Sequence, residues 1–118
     1  MKKILFLSAL ILLTKISTAQ VVSADSTKYY EGKEITMTGK VSSTFVTKGE
    51  KKKVLINFGQ PHPNESFTIV IEEADLSKFK YDPSEFLKDK KLQVKGKVKM
   101  YKDKPEMFVS SPDQITVK

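Results

Sequence analysis

The strongest constraint on what this chain can fold into lies in Lys91–Tyr101, KLQVKGKVKMY. Leu92, Val94, Val98 and Met100 fall on one parity, and Gln93, Lys95, Lys97 and Lys99 on the other. Successive side chains of a strand point to opposite faces, so this alternation predicts a half-buried strand. Gly96 sits on the apolar parity in the middle, where a glycine predicts a bulge or a sharp bend. An echo lies upstream: Ile35-Thr36-Met37-Thr38-Gly39-Lys40-Val41 matches Leu92-Gln93-Val94-Lys95-Gly96-Lys97-Val98 position for position. Two long strands, each bent at a central glycine, suit a small closed barrel that must turn its corners. Two similar strand solutions in one barrel are preferred here over an internal duplication.

The first 19 residues read as a processing segment. Lys2 and Lys3 supply a positive start, Ile4–Leu13 an apolar run, and Ser17-Thr18-Ala19 a small-x-small cleavage site. The apolar run falls short of the roughly 20 residues that span a bilayer. Cleavage after Ala19 leaves one domain, residues 20–118, exported to the periplasm or beyond and without a stable membrane anchor. Cysteine is absent. That excludes a lipoprotein anchor and any disulfide, so the core alone must stabilise an exported fold. Loss of Lys2, Lys3 and Lys15 lowers the net charge from +7 to +4.

Along the domain, Ser23–Gly32 predicts a short helix, with Ser23 as its cap and Gly32 as its left-handed stop. A long strand follows from Glu34 to about Val46, then a charged hairpin turn, Thr47–Lys53. The next strand, Lys53–Phe58, has Val54, Ile56 and Phe58 on one face and Leu55 and Asn57 on the other. Pro61 and Pro63 make Gly59–Glu65 a loop. Ser66–Glu72 is a third strand with Phe67, Ile69 and Ile71 inward and Thr68 and Val70 outward, covered on both faces or nearly so. A helical segment follows, with Leu76 and Phe79 plugging the barrel just upstream. Asp82-Pro83-Ser84-Glu85 supplies a cap, a proline at the first helical position and an acid three residues on. Phe86 and Leu87 are its expected buried side, and Lys88, Lys90 and Lys91 suit its carboxyl end. Lys91–Tyr101 and two short closing strands complete the order β-β-β-α-β-β. The expected fold is all-β with one short helix, a five-stranded Greek-key OB-fold barrel.

Several segments resemble small bacterial OB-fold nucleic-acid-binding domains of the tRNA-anticodon-binding-like type. They are Gly39-Lys40-Val41, Leu55–Gly59, the Pro61/Pro63 loop with Phe67-Thr68, Tyr101–Glu106 and Ser111–Ile115. The likeness spans about Ala24 to Val117. In size and export the chain is also similar to the periplasmic bacterial OB-fold family linked to stress responses. The resemblance implies a binding face on strands two and three, flanked by the loops Thr47–Lys53 and Tyr101–Pro105. Lys48, Lys51, Lys52, Lys53, Lys102 and Lys104 would converge there, with Phe45 and Tyr101 as stacking groups and Leu55, Asn57 and Thr68 on the floor. In anticodon-type relatives the position of Leu55 typically holds an aromatic, so binding of a strand is expected to be weak and salt-sensitive.

Every one of the 21 basic residues is lysine. Without arginine's planar fork, sequence readout by bidentate contacts is not expected, whereas point-charge attraction to a polyanion is. A single histidine, His62, and no cysteine exclude the usual zinc sites. The acidic group Glu72, Glu73 and Asp75 ends a strand where acids commonly cap. The arginine-dependent chemistry of staphylococcal-type nucleases, which use an OB-like barrel, does not carry over. The chain therefore reads as a non-enzyme without cofactor. Its partner is single-stranded nucleic acid or another polyanion held by the loop lysines. The alternatives are a small molecule, oligosaccharide or protein on the Leu55, Asn57, Thr68 and Val70 face, or a structural role.

Overall fold

A computed structural model describes residues 20–118, and the expected signal peptide lies outside the described residues. The strands are β1 (Gln20–Ser23), β2 (Glu34–Val46), β3 (Lys53–Gly59), β4 (Glu65–Glu72), β5 (Lys91–Lys97), β6 (Lys99–Tyr101), β7 (Lys104–Phe108) and β8 (Ile115–Val117). Two short helices, α1 (Glu73–Leu76) and α2 (Pro83–Phe86), lie between β4 and β5. A 3-10 helix of seven residues covers Ala24–Tyr30 and a single 3-10 turn Pro112–Gln114.

The strand β2 organises the rest. Its first half pairs antiparallel with β5 and parallel with β1, and its second half pairs antiparallel with β3. The ladder runs β6-β7-β4-β3-β2-β5-β8, with β4 and β7 parallel. It is open, not closed into the expected five-stranded barrel, and with β1 paired to β2 off this path the sheet has eight strands. The difference has two local causes. Lys91–Tyr101 divides at Val98, whose N–H makes the last bond on the β2 side, to the Lys33 carbonyl at 3.0 Å; the residues before it pair with β2 and those after it with β7. The short edge strands β1 and β8 add to β2 and β5.

Neither glycine marks a bulge in the β2–β5 ladder. Register between β2 and β5 continues through both: Ile35 faces Gly96 and Gly39 faces Leu92. The register shift in β2 falls instead between Val41 and Ser43. Each glycine allows a close approach. A Cβ on Gly39 would lie 3.2 Å from Phe58 and 3.3 Å from Ala24, and one on Gly96 would lie 2.7 Å from Met107.

The matching segments of β2 and β5 therefore pair with each other around a local two-fold centred on Met37 and Val94. The correspondence extends into the preceding turns. Lys33 N–H donates to Tyr30 O at 2.9 Å, and Lys90 N–H to Leu87 O at 3.2 Å. Gly32 and Asp89 both have positive φ, 80° and 63°. Val98 N–H reaches Lys33 O, and its counterpart Val41 N–H reaches Lys90 O at 2.9 Å. Each turn thus caps the far end of the other's strand.

The core gathers the inward residues: Ile35, Met37 and Val41 of β2, Ile56 and Phe58 of β3, Phe67, Ile69 and Ile71 of β4, Leu92 and Val94 of β5, and Met107 of β7. Leu87 and Phe79 close it. Phe86 corrects the sequence reading: it is 43% exposed, stacked at 4.5 Å on Tyr81 and covered by the Lys90 ammonium at 4.6 Å. Leu87, just past the end of α2, is the residue that enters the core. Asp82 caps α2 as expected, accepting from Ser84 N at 3.0 Å. Ser23 makes no side-chain cap; its hydroxyl meets Ser26 Oγ at 3.4 Å.

Candidate functional site

The outward faces of β3, β4, β7 and β6 form a groove of about 610 Å³. Strand register builds its floor in two rows. The first runs Ser43, Asn57, Thr68, Glu106, Lys99. The second runs Phe45, Leu55, Val70, Phe108. Both rows lie on one face because each strand alternates faces while residues two apart share one.

In the polar row, Asn57 is buried and held from both sides. Its Oδ1 accepts from Thr68 Oγ1 at 2.8 Å, and its Nδ2 donates to Ser43 Oγ at 3.2 Å. Glu106 differs: among the described residues its carboxylate has no hydrogen-bond or ion-pair partner, and it lines the groove half-buried. Burial pushes its carboxyl above the ordinary 4.5, against the pull of the Lys99 and Lys53 charges. In the apolar row Val70 is covered while Phe45 is 56% exposed at the margin. Lys99 Nζ sits 4.7 Å over the Phe108 ring.

One wall is an ionic cluster. Glu65, whose side chain is only 6% exposed, receives His62 Nδ1 at 2.7 Å and Lys104 Nζ at 3.1 Å; Lys104 also donates to the Pro63 carbonyl. Burial alone would raise the Glu65 carboxyl. The hydrogen bonds from His62, from its own backbone N–H and from Lys104 outweigh that and hold it below 4.5. Adjoining the cluster through Lys104 is the β6–β7 hairpin, whose two turn residues, Lys102 and Asp103, have φ of 51° and 65°. Two consecutive left-handed residues make the tight turn that matches strand twist. The turn sets Tyr101, 57% exposed, at the groove mouth with Lys102 Nζ 5.3 Å from its ring.

Of the residues expected from sequence, Lys53, Leu55, Asn57, Thr68, Tyr101, Lys102 and Lys104 line this groove together. Phe45 borders it through its pairing with Leu55. Lys48, Lys51 and Lys52 lie on the exposed β2–β3 turn and are not among the lining residues. There Glu73 accepts from Lys52 N at 3.3 Å, so an acid lies beside the lysine run. Lys104 reaches the groove with its charge already engaged by Glu65. Sequence reasoning missed His62, Glu65, Lys99, Glu106 and Phe108. The parity of β7, with Pro105 and Met107 buried between Glu106 and Phe108, was the signal for the last two.

No family model and no curated protein matches the chain. Among solved structures, the chain is similar to OBody AM1L10, solved bound to hen egg-white lysozyme. The identity is 14%, the TM-score 0.52, and 88% of this chain and 98% of that one are covered. A protein described as an aspartyl-tRNA synthetase from Leishmania major Friedlin matches at 16% identity and a TM-score of 0.49. That match covers 88% of this chain and 21% of that one. The likeness to the OBody is one of fold.

Proposed function

We propose that residues 20–118 form an exported, non-catalytic OB-fold binding module. Its ligand is single-stranded nucleic acid or another polyanion, laid across β3 and β4. Support for the OB reading comes from connectivity. With β2, β3, β4, β5–β6 and β7 taken as its five strands, the antiparallel β2–β5 and parallel β4–β7 pairings are those the barrel requires, and the divided Lys91–Tyr101 segment pairs with β2 through β5 and with β7 through β6. Export rests on the lysine-led apolar run before Ala19.

The observation that carries the ligand is the groove's construction. An apolar row begins at the exposed Phe45, the exposed Tyr101 stands beyond the neighbouring polar row, and Lys53, Lys99 and Lys102 line the same groove. Bases stack on aromatics and apolar surface while lysines attract phosphates, and neither contact depends on sequence. The test is fluorescence anisotropy of a labelled single-stranded oligonucleotide at low and then physiological salt. Saturable binding that weakens steeply with salt and disappears on reversing Lys53, Lys99 and Lys102 to glutamate is expected. Absence of binding at low salt rejects the proposal.

A second reading, a neutral small molecule, oligosaccharide or protein segment, is favoured by one specific feature. The carboxylates of Glu65 and Glu106 offset part of the lysine charge within the groove. Under that reading, the same charge reversal leaves binding of the neutral ligand largely intact.

A further inference from the structure

Among the described residues, the polar row of the groove holds one carboxylate, Glu106, whose accepting capacity is unspent. Asn57 and Thr68 bond each other, and Asn57 also bonds Ser43. Glu65 is occupied by His62 and Lys104. Glu106 lies between Thr68 and Lys99 in register, half-buried, with its carboxylate unbonded among the described residues. Resting on the polyanion reading above, we infer that Glu106 selects the base: it accepts from the exocyclic amino group of a base on the groove floor, so that the face prefers cytosine over thymine.

The chemistry follows from position. A carboxylate in the floor repels phosphate, while the lysines around it attract phosphate. A bound strand therefore turns its backbone to the rim and its bases to the floor. An ionised carboxylate is an acceptor only. Cytosine offers it the N4 amino group, whereas thymine presents the O4 carbonyl at the same edge position, acceptor against acceptor. The two pyrimidines are of similar size, so contact with Leu55, Val70 and the bordering aromatics discriminates little between them. Burial works against the ionised form that this contact needs, and the Lys99 and Lys53 charges offset part of that.

The test compares labelled oligo-dC and oligo-dT of equal length by anisotropy, with the protein and its Glu106→Gln variant, whose folding is checked by thermal melting. The wild type is expected to bind oligo-dC roughly tenfold more tightly, the scale of one charge-assisted hydrogen bond. Glutamine carries both an acceptor and a donor, so Glu106→Gln should bring the ratio near one, chiefly by tightening oligo-dT. Equal binding of both oligonucleotides by the wild type overturns the inference and leaves the polyanion reading standing. A variant that tightens both while preserving the ratio also overturns it, because Glu106 then acts only as a charge. Failure of the wild type to bind either oligonucleotide at low salt rejects the polyanion reading itself, and the inference with it.

Discussion

Gly96 faces Met107 so closely that a Cβ built on it would lie 2.7 Å from both the thioether sulfur and Cγ. Met107 is fully buried, so its side chain has nowhere free to retreat. Gly96→Ala is therefore expected to destabilise the fold by about 1–3 kcal/mol, the range for overpacking a filled core. In a Met107→Ala background the same change should cost almost nothing. Urea unfolding of the four proteins in the cycle measures the coupling. Additive effects would mean that Gly96 is required for some other reason.

Glu65 gives the stability a defined pH dependence. Its folded carboxyl titrates below the ordinary value of 4.5, so the unfolded chain binds the proton more readily. The stabilisation is thus fully present above the unfolded pKa and is lost as pH falls through the folded one. Glu65→Gln should cost about 2 kcal/mol at pH 7, the scale of hydrogen bonds to a charged group. The gap to wild type should narrow steadily below about pH 4.5 and close once the wild-type carboxyl is protonated. Thermal melting across pH 3–7 reads this directly. A gap that stays constant with pH would assign the effect to packing.

The start of α2 is fixed from two directions. Asp82 Oδ1 accepts from Ser84 N at 3.0 Å and from Ser84 Oγ at 2.7 Å, and Thr44 Oγ1 donates to the Ser84 carbonyl at 2.9 Å. Asp82→Ala should cost about 1 kcal/mol, as for other helix caps. Thr44→Val, which removes a cross-element hydrogen bond, should cost a similar amount. Hydrogen exchange should show the loss concentrated at Glu85–Leu87, whose amides bond back to Asp82 and Pro83.

Period-two alternation made the strands legible because burial on one face demands it, and β2, β3 and β4 lie where the apolar parity of the sequence puts them. The helical turn was legible at its cap but not in its facing: adjacent Phe86 and Leu87 are both apolar, and the core takes Leu87 while Phe86 stays outside against its near neighbours Tyr81 and Lys90. The glycines announced constraint without its kind, since a close approach to Met107 or Phe58 involves residues remote in sequence. The groove was half legible. Loop lysines stand out in a sequence, but that Glu65 engages Lys104 depends on bringing the loop before β4 against the start of β7. Glu106 drew no notice for the same reason: its neighbours Thr68 and Lys99 come from two other strands.

That division among the lysines makes the last prediction. Lys53, Lys99 and Lys102 line the groove without an ion-pair partner within 4 Å among the described residues, whereas Lys104 is already paired. If a single strand binds here, each lysine that meets a phosphate contributes about 0.7 to the slope of log affinity against log salt. Lys53→Ala, Lys99→Ala and Lys102→Ala together should lower that slope by about 2. Lys104→Ala should change it little while lowering thermal stability, because its removal leaves the Glu65 carboxylate with one cation fewer. Lys48→Ala, Lys51→Ala and Lys52→Ala, on the exposed turn beside Glu73, should change the slope less than the groove triple. Anisotropy titrations at four or more salt concentrations measure each slope. An equal drop for the turn triple and the groove triple would place the strand along the β2–β3 turn instead of the floor.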